Sequence, residues 1–286
     1  MKLSEQEKLQ LVYKTIEKLK IAGRSENTIN NYRCALIRFL SKYDDSKKLE
    51  DYTEEDVIEY MKKEYVSKNV TADTYNLNLS AIKKMFLVCY KKTFLNDLLP
   101  SVKQHRHLPA FLEKGKFLYI FNNECSINHK CWLLLAFCCG LRADEIATVR
   151  IENINSKEHS LRVIGKGNKE RITILPDIVI KYLRMYYVNK KITKKHGYLF
   201  NGKANKEHPS SRSIVNYFLD LRKIYNLSNK YSIHSLRHSF ATYFLMNGGN
   251  LFDLQHMMGH SSIATTSIYL HVCQNFNNLK GINYHV

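Results

Sequence analysis

Cysteine pairs with the spacing of metal or redox sites are missing from this sequence. Its seven cysteines are odd in number, and no two of them form a C-x-x-C pair. Several lie in apolar runs such as 132–139, where a thiol packs as a small hydrophobic side chain. These features argue against a disulfide framework and a zinc ribbon, and they favour a reducing compartment.

Long apolar segments are missing as well. The sequence begins Met1-Lys-Leu-Ser-Glu-Gln, without the apolar core of a signal peptide, and no apolar run approaches membrane-spanning length. It also has no internal repeat and no low-complexity segment. We therefore expect a cytoplasmic protein without a membrane partner.

Acidic residues are outnumbered: 26 Asp and Glu face 44 Lys and Arg, which gives a formal net charge of +18. Such an excess indicates a polyanionic partner, nucleic acid before a membrane surface. A generally basic protein from a proteome rich in Lys and Asn is the alternative. At 286 residues, the chain is long enough for two modest domains or one large one.

The first hundred residues have helical periodicity and no strand pattern. A polar–apolar run predicts a first helix over 4–21, and Ser25 is placed to cap a second one. The segment Thr53-Glu-Glu-Asp56 resembles a capping box and predicts a third helix. A fourth is predicted over about 71–90. These helices predict a small helical domain over 1–100.

The segment 101–109 breaks the helical pattern. It is flanked by Pro100, ends at Pro109, and contains a cluster of basic residues that includes Lys103 and Arg106. We interpret it as an interdomain linker. Whether it lies along a phosphate backbone or is an ordinary solvated loop stays open.

The remaining residues, 110–286, predict a second and mainly helical domain. Helical patterns cover about 110–123, about 129–139, and a stretch from Asp144. Two strand-like runs, 160–164 and 171–175, are joined by a segment with Gly and Asn, which tolerate the positive φ of a tight turn. The fold class is therefore mainly α with a small β-hairpin in the second domain.

The residues best suited to chemistry are two arginines, two histidines and a tyrosine: Arg142, His234, Arg237, His260 and Tyr269. A phenol is a poor nucleophile at neutral pH, so its proton must be drawn off and the phosphorane charge spread over fixed donors. Arginine suits that task because its fork matches two phosphate oxygens and keeps its charge. The set predicts a protein that grips a phosphodiester and attacks it with a tyrosine.

Several neighbours of these residues have both a functional and an ordinary interpretation. Glu145 is placed to orient a nearby arginine or to cap the next helix. Lys166, in the hairpin turn, can protonate a leaving oxygen, although such a turn in isolation is more often solvated. Its surroundings lack the G-x-x-x-x-G-K-[ST] pattern of a Walker A loop. Lys169 and Arg171 are interpreted as contacts to the DNA backbone.

The histidines have a competing interpretation as metal ligands. The spacing of His234 and Arg237 puts both on one face of a helix. His238, a supporting residue of the site, either shares that face or packs inward beside Phe240 and Ala241, and the packing role is favoured. Two histidine pairs have the i,i+4 spacing of a metal site, yet neither carries the Glu of H-E-x-x-H. With arginines crowding the region, we predict no metal site and no cofactor.

The order and spacing of these motifs resemble the tyrosine recombinases, the family of Xer proteins, phage integrases and Cre. Gly-Leu-Arg142-x-x-Glu145 matches the family's box I, and the hairpin lysine is Lys166. Box II is matched by three segments: His234-x-x-Arg237-His238, Leu-x-x-x-Met-Gly-His260 and Tyr269. The departures are mild: Met258 replaces a usual leucine, and Asp144 stands where a small residue is common.

The resemblance implies a C-shaped clamp around double-stranded DNA, built from a SAM-like helical core-binding domain and a catalytic domain. Tyr269 would form a 3′-phosphotyrosyl bond and release a 5′-hydroxyl, without metal or ATP. Arg142, Arg237, His234 and His260 would hold the non-bridging oxygens and manage the phenol proton, while Lys166 protonates the leaving oxygen. The candidate DNA contacts are Arg33, Lys83, Lys84, Lys103, Arg106, Lys169 and Arg171.

The resemblance also implies a Holliday junction inside a homo-tetramer on DNA, with the tail 270–286 docked in trans on a neighbour. An intramolecular cap is the alternative for the tail, and a partner recombinase or accessory factor is a further candidate partner. We expect a simple, nucleoid-associated recombinase of the Xer type, or the integrase of a mobile element. A type IB topoisomerase, a DNA-binding module with a dead site and an RNA-binding protein are the competing functions.

Overall fold

The computed structural model describes residues 3–44, 46–68, 70–94, 100–102, 108–165, 169–202 and 206–280. The chain divides into two compact units, Met1–Arg106 and His107–Val286. Lys103 and Arg106 lie outside the described residues, as does most of the segment 101–109. The domain boundaries 1–100, 101–109 and 110–286 therefore stay a prediction.

The first unit is built from helices that begin where the sequence predicts. They are α1 (Glu5–Ile21), α2 (Glu26–Lys42), α3 (Glu54–Met61), which continues as a π-helical turn over Lys62–Val66, and α4 (Ala72–Tyr90). The side chains of Ser4, Ser25 and Thr71 accept hydrogen bonds from the first turns of α1, α2 and α4. The Thr53 N–H donates to the Asp56 carboxylate at 2.6 Å, as the capping-box prediction requires.

Aromatic side chains fill the core of this unit. Phe39 and Phe86 are fully buried, and the ring of Tyr60 meets that of Phe39 edge-on, 4.8 Å between centroids. Asn76 on α4 exchanges two hydrogen bonds with the backbone of Val102, which anchors the segment 100–102 to this helix. The helical prediction for the first hundred residues is confirmed.

The second unit combines helices with a small antiparallel sheet. Its strands β1 (Ile154–Asn155), β2 (Ser160–Ile164) and β3 (Glu170–Ile174) pair in that order. The helices are α5 (Lys114–Asn123), α6 (Ile127–Cys139), α7 (Ala143–Ala147), α8 (Asp177–Asn189), α9 (Ser211–Ile224), α10 (Ile233–Met246), α11 (Leu251–Met258), α12 (Ile263–Thr266) and α13 (Ile268–Lys280). The predicted hairpin is confirmed. Strand β1 was not predicted, because two residues are too few to show a strand pattern.

Helix α6 is the centre of this unit, packed against α8 and α10. Its apolar residues are buried on every side, which explains its continuous run of leucine and cysteine. It ends at Gly140, whose φ of +68° is left-handed and whose missing Cβ leaves room for the ring of Phe240. The chain therefore turns sharply out of the core and delivers Arg142 to the surface.

In the described part of the chain, no helix is both long and apolar enough to cross a membrane.

Candidate active site

Arg142 stands at the N-terminal end of α7, immediately after the turn at Gly140. Its backbone N–H donates to Oε2 of Glu145 at 2.7 Å, and its Nη1 donates to Oε1 at 3.0 Å. The side chain is 34% exposed. Both interpretations of Glu145 hold, because this carboxylate caps α7 and orients the arginine at the same time.

Glu145 is a buried carboxylate among three arginines. Arg171 contributes two parallel hydrogen bonds of 2.6 and 2.7 Å, and Nη1 of Arg237 lies 3.5 Å from Oε2. Burial by itself raises the pKa of Glu145, but the hydrogen bonds from Arg171 and Arg142 and the charges of the arginines outweigh it and lower the pKa to about 2. The carboxylate is therefore ionised at any working pH.

Arg237 is buried on α10, where it joins the ends of two other helices. Its Nη1 donates to the carbonyl of Gly140, at the end of α6, and its Nη2 donates to the carbonyl of Met258, the last residue of α11. Carbonyls at a helix C-terminus lack helical partners and carry partial negative charge, so a guanidinium is stabilised there. Burial lowers the pKa of Arg237 to about 9, which still leaves it charged at neutral pH.

Tyr269 lies on α13 with only 3% of its surface exposed. Its hydroxyl is hydrogen-bonded to Nδ1 of His238 at 2.8 Å. Burial raises the pKa of Tyr269 to about 12, against the opposing effect of Arg237 and Arg142, so the phenol is protonated at neutral pH.

His238 therefore contacts the predicted nucleophile, in addition to the packing role that the sequence favours. The sequence separates this residue from Tyr269 by 31 positions, and the contact arises only because α10 packs against α13. Burial and the neighbouring His234 and Arg237 lower the pKa of His238 to about 4. The ring is neutral at pH 7 and, with its proton on Nε2, accepts a proton at Nδ1.

His234 and His260 flank these groups from two elements. His234 lies one turn before His238 on α10 and is exposed at the surface, yet lost hydration and the charges of Arg237 and Arg142 lower its pKa. His260 follows Gly259, where α11 ends, and its Nδ1 is hydrogen-bonded to the buried hydroxyl of Thr266 at 3.0 Å. Burial and Arg237 lower the pKa of His260 to about 4.

The predicted catalytic residues that the structure describes, all but Lys166, therefore come together, with some differences in detail. Arg142 and Arg237 act electrostatically on His234, His260 and Tyr269 alike. A helix begins after the Ser261-Ser262 pair, since Ser262 caps α12. It ends within one turn, and Tyr269 lies in the next helix, where its hydroxyl meets His238.

Arg171, predicted to contact the DNA backbone, is paired mainly within the protein, and the DNA contact stays a prediction. Its side chain is only 8% exposed and is occupied by Glu145 and by the carbonyl of Met257. All three guanidinium nitrogens already donate hydrogen bonds within the protein. Spacing alone did not reveal this, because the partners are 26 and 86 residues away.

The other predicted DNA contacts stay predictions. Lys169 is exposed beside the site, and Nη1 of the half-buried Arg33 is hydrogen-bonded to Asn30 at 2.8 Å. Lys83 and Lys84 are half-buried on α4, and burial lowers the pKa of Lys83. Lys166 lies outside the described residues, so its role as general acid stays a prediction too.

Comparison with known proteins identifies the family. The model of the phage integrase family matches residues 104–275, and the model of the phage integrase N-terminal SAM-like domain matches residues 11–94. The chain belongs to the phage integrase family. It is 32% identical to "Tyrosine recombinase XerD" of Staphylococcus saprophyticus over 269 residues, which cover 87% of this chain and 89% of that protein. The resemblance seen in the sequence is confirmed, and the chain is a tyrosine recombinase.

Solved structures agree with this assignment at the level of the fold. XerH site-specific recombinase bound to palindromic difH substrate gives a TM-score of 0.75 at 20% identity, covering 98% of this chain and 90% of that one. The Tn1549 transposon integrase in complex with transposon right end DNA gives 0.71 at 16% identity, covering 95% and 99%. The mainly α fold class with a SAM-like first domain is confirmed.

The candidate active site of this tyrosine recombinase opens into a polar cleft. Its walls come from the N-terminal end of α7, the hairpin and the end of α11, and its lining includes Arg142, Lys169 and His260. Within the described residues, no group of three or more His, Cys, Asp or Glu side chains is arranged to hold a metal ion. The positive groups around the cleft suit an anionic reaction centre.

Proposed function

We propose that this tyrosine recombinase cleaves and rejoins double-stranded DNA at specific sites through a 3′-phosphotyrosyl bond to Tyr269. One observation carries the proposal. The Tyr269 hydroxyl is hydrogen-bonded to His238 on α10, the same helix that carries His234 and Arg237. A nucleophile, a neutral proton acceptor and fixed guanidinium groups therefore meet at one place.

The cleavage step is a direct displacement at phosphorus. The phenol oxygen forms a bond to phosphorus, the bond from phosphorus to the 5′ oxygen breaks, and a 5′-hydroxyl leaves. The phenol proton passes to a neutral imidazole, for which the Nδ1 of His238 is 2.8 Å away. Arg142 and Arg237 stabilise the charge on the non-bridging oxygens, His234 and His260 assist them, and Lys166 supplies the proton of the leaving hydroxyl.

Rejoining reverses the same step. The energy of the broken phosphodiester is kept in the phosphotyrosyl bond, so a 5′-hydroxyl from another strand can displace the tyrosine without ATP. No step above calls for a metal ion. Two strand exchanges at paired sites, through a Holliday junction, then give recombination of the Xer type or the integration of a mobile element in the nucleoid.

The test uses nicked DNA that carries candidate sites flanking the gene, in buffer with EDTA. The wild type should form a protein–DNA adduct that survives denaturation, and Tyr269→Phe should form none. Tyr119→Phe, which removes a hydroxyl from an exposed tyrosine of the same unit, is the matched control and should react like the wild type. An adduct with Tyr269→Phe would assign the nucleophile to another residue.

We further propose that four copies act together on two DNA sites, with the tail 270–286 of one copy docked on the next. The structures named above support DNA as the partner, since the XerH and Tn1549 proteins are bound to DNA in them. The mass of the complex between the Tyr269→Phe protein and uncut DNA sites shows how many protomers and how many duplexes it contains. Four protomers with two duplexes agree with recombination, whereas one protomer per duplex agrees with a topoisomerase or with a tail that caps its own chain.

A further inference from the structure

Arg171 on β3 is the most extensively paired buried cation of the active-site region, yet it has no part in the chemistry proposed above. We propose that Arg171 is a positioning residue, which holds Glu145 and the end of α11 so that Arg142 and His260 face the scissile phosphate. This inference rests on the proposed function, because it concerns the geometry of DNA cleavage.

The contacts of Arg171 join three elements at once. Nη1 and Nη2 donate to the two carboxylate oxygens of Glu145 at 2.6 and 2.7 Å, on α7. Nε donates to the carbonyl of Met257 at 2.7 Å, in the last turn of α11. Each of the three nitrogens is thus engaged, and strand β3 is fastened to both helices by one side chain.

Each partner of Arg171 is itself connected to a residue that we propose to contact the phosphate. Glu145 receives the backbone N–H and the Nη1 of Arg142, so fixing the carboxylate fixes the arginine. Met257 precedes Gly259 and His260, and a Cβ on Gly259 would lie 2.9 Å from Cδ of Arg171. The aliphatic part of Arg171 therefore sets the turn from which His260 projects.

The charges around Glu145 explain why one arginine matters more than the others. Arg142 faces the carboxylate from the start of α7, Arg237 faces it from α10 at 3.5 Å, and His234 on α10 also senses it. Among the residues the structure describes, Arg171, from β3, is the one whose guanidinium alone binds both carboxylate oxygens, whereas Arg142 reaches them with its backbone N–H and one guanidinium nitrogen. Without Arg171, the burial of Glu145 is poorly compensated, and the carboxylate favours protonation.

The experiment compares Arg171→Met with Arg162→Met at saturating protein on the nicked substrate. Arg162 lies on the neighbouring strand β2, its exposed guanidinium is paired with Asn153, and its loss removes the same charge from the same sheet. Arg171→Met should bind DNA like Arg162→Met but cleave about 100-fold more slowly, the scale expected of an ångström-sized misplacement. Wild-type cleavage by Arg171→Met would overturn the proposal.

The pH dependence separates positioning from a general loss of structure. In the wild type, Glu145 stays ionised between about pH 9 and about pH 6, whereas in Arg171→Met its pKa should rise, so that its protonated fraction increases as the pH is lowered. The ratio of the mutant cleavage rate to the wild-type cleavage rate should therefore decrease as the pH is lowered. The ratio is used because any protonation of His234, His238 or His260 affects both proteins. A ratio that is constant over this range would contradict the proposal.

Two further variants make the result decisive even if Arg171→Met folds poorly. Arg171→Lys keeps the charge, but one ammonium cannot span both oxygens of Glu145 and the Met257 carbonyl, so cleavage should be restored only in part. The loss of cleavage in Glu145→Gln/Arg171→Met should be smaller than the sum of the two single losses, since Arg171 acts in part through Glu145. Full activity of the lysine variant, or additive losses in the double variant, would contradict positioning.

The controls distinguish this inference from the proposed function. Adducts with the wild type and with Arg162→Met establish cleavage. If Arg171→Met then cleaves as fast as these two proteins, only the positioning role is rejected. An absence of adduct with every protein would reject the proposed function and this inference together.

Discussion

At the scale of single residues, burial holds Tyr269, His238 and His260 of the candidate site in their uncharged forms. Tyr269 is protonated because burial raises its pKa to about 12, and His238 and His260 are neutral because their pKa values fall to about 4. A neutral imidazole beside a protonated phenol is the pairing that proton removal requires. The same environment makes the folded protein sensitive to acid.

We predict that stability falls as the pH drops from about 6.5 to about 4. The unfolded chain protonates His238 and His260 near the usual histidine pKa of about 6.5, whereas the folded chain resists until about 4. Over this window the unfolded state binds more protons, so the free energy of unfolding must decrease as protons are added. The loss should be about 3 kcal/mol for each histidine.

Urea denaturation at several pH values, with His238→Gln and His256→Gln compared, measures this loss. His238→Gln removes one of the titrating rings and should make the dependence on pH shallower. His256 is exposed on α11, so its replacement should leave the slope of the wild type. Equal slopes for all three proteins would show that His238 is not the source of the acid sensitivity.

At the scale of elements, the site is made largely from the ends of helices. Helices α6 and α11 both end at a glycine with positive φ, Gly140 and Gly259, and guanidinium groups bind their last carbonyls. Such ends are stabilised by cations and turn the chain abruptly. The residues that follow, Arg142 and His260, are thereby placed on a rigid base.

We predict that Gly140→Ala lowers the stability of the second unit by about 3 kcal/mol, from backbone strain together with a collision against Phe240. Gly248→Ala is the matched control. Its φ of +83° is also left-handed, but nothing lies within 4 Å of the added methyl, so the loss should be about 1 kcal/mol. Equal losses in urea denaturation would mean that the contact with Phe240 contributes nothing.

Much of this architecture follows from local sequence signals. The caps at Ser25 and Thr53 and the stripes of apolar residues predict the first helices, because a helix start depends on a few adjacent residues. The hairpin follows from two strand-like runs around a Gly-rich turn. Strand β1 escapes prediction because two residues carry no periodicity and pair only when β2 is already in place.

The candidate site is predictable in its residue types and less so in its contacts. Motif spacing predicts Arg142, Arg237 and Tyr269 as site residues. It also predicts a DNA contact for Arg171 and favours a packing role for His238. In both cases the partners found in the structure are distant in sequence, since Arg171 contacts Glu145 and Met257, and His238 contacts Tyr269. Which of several basic residues is buried depends on tertiary packing, and residue spacing does not contain that information.

At the scale of the whole molecule, charge is the dominant feature. The formal net charge is +18, and the two units match separate family models, one for the SAM-like domain and one for the integrase domain. Such a charge attracts DNA regardless of sequence and concentrates the protein near its sites. A generally basic proteome would give the same net charge. Composition alone therefore does not tell whether the charge serves DNA binding or reflects the proteome.

The dependence of DNA binding on salt separates them. A protein that neutralises phosphates releases condensed counterions, so the logarithm of its binding constant falls linearly with the logarithm of salt concentration. With six to ten phosphates contacted, affinity should drop by about 10³–10⁵ between 50 and 200 mM salt. Tyr269→Phe should give the same slope, because the phenol takes no part in neutralising phosphates. A shallow slope, by contrast, would mean that most of the positive charge faces away from DNA, and the excess of lysine would then reflect composition and not function.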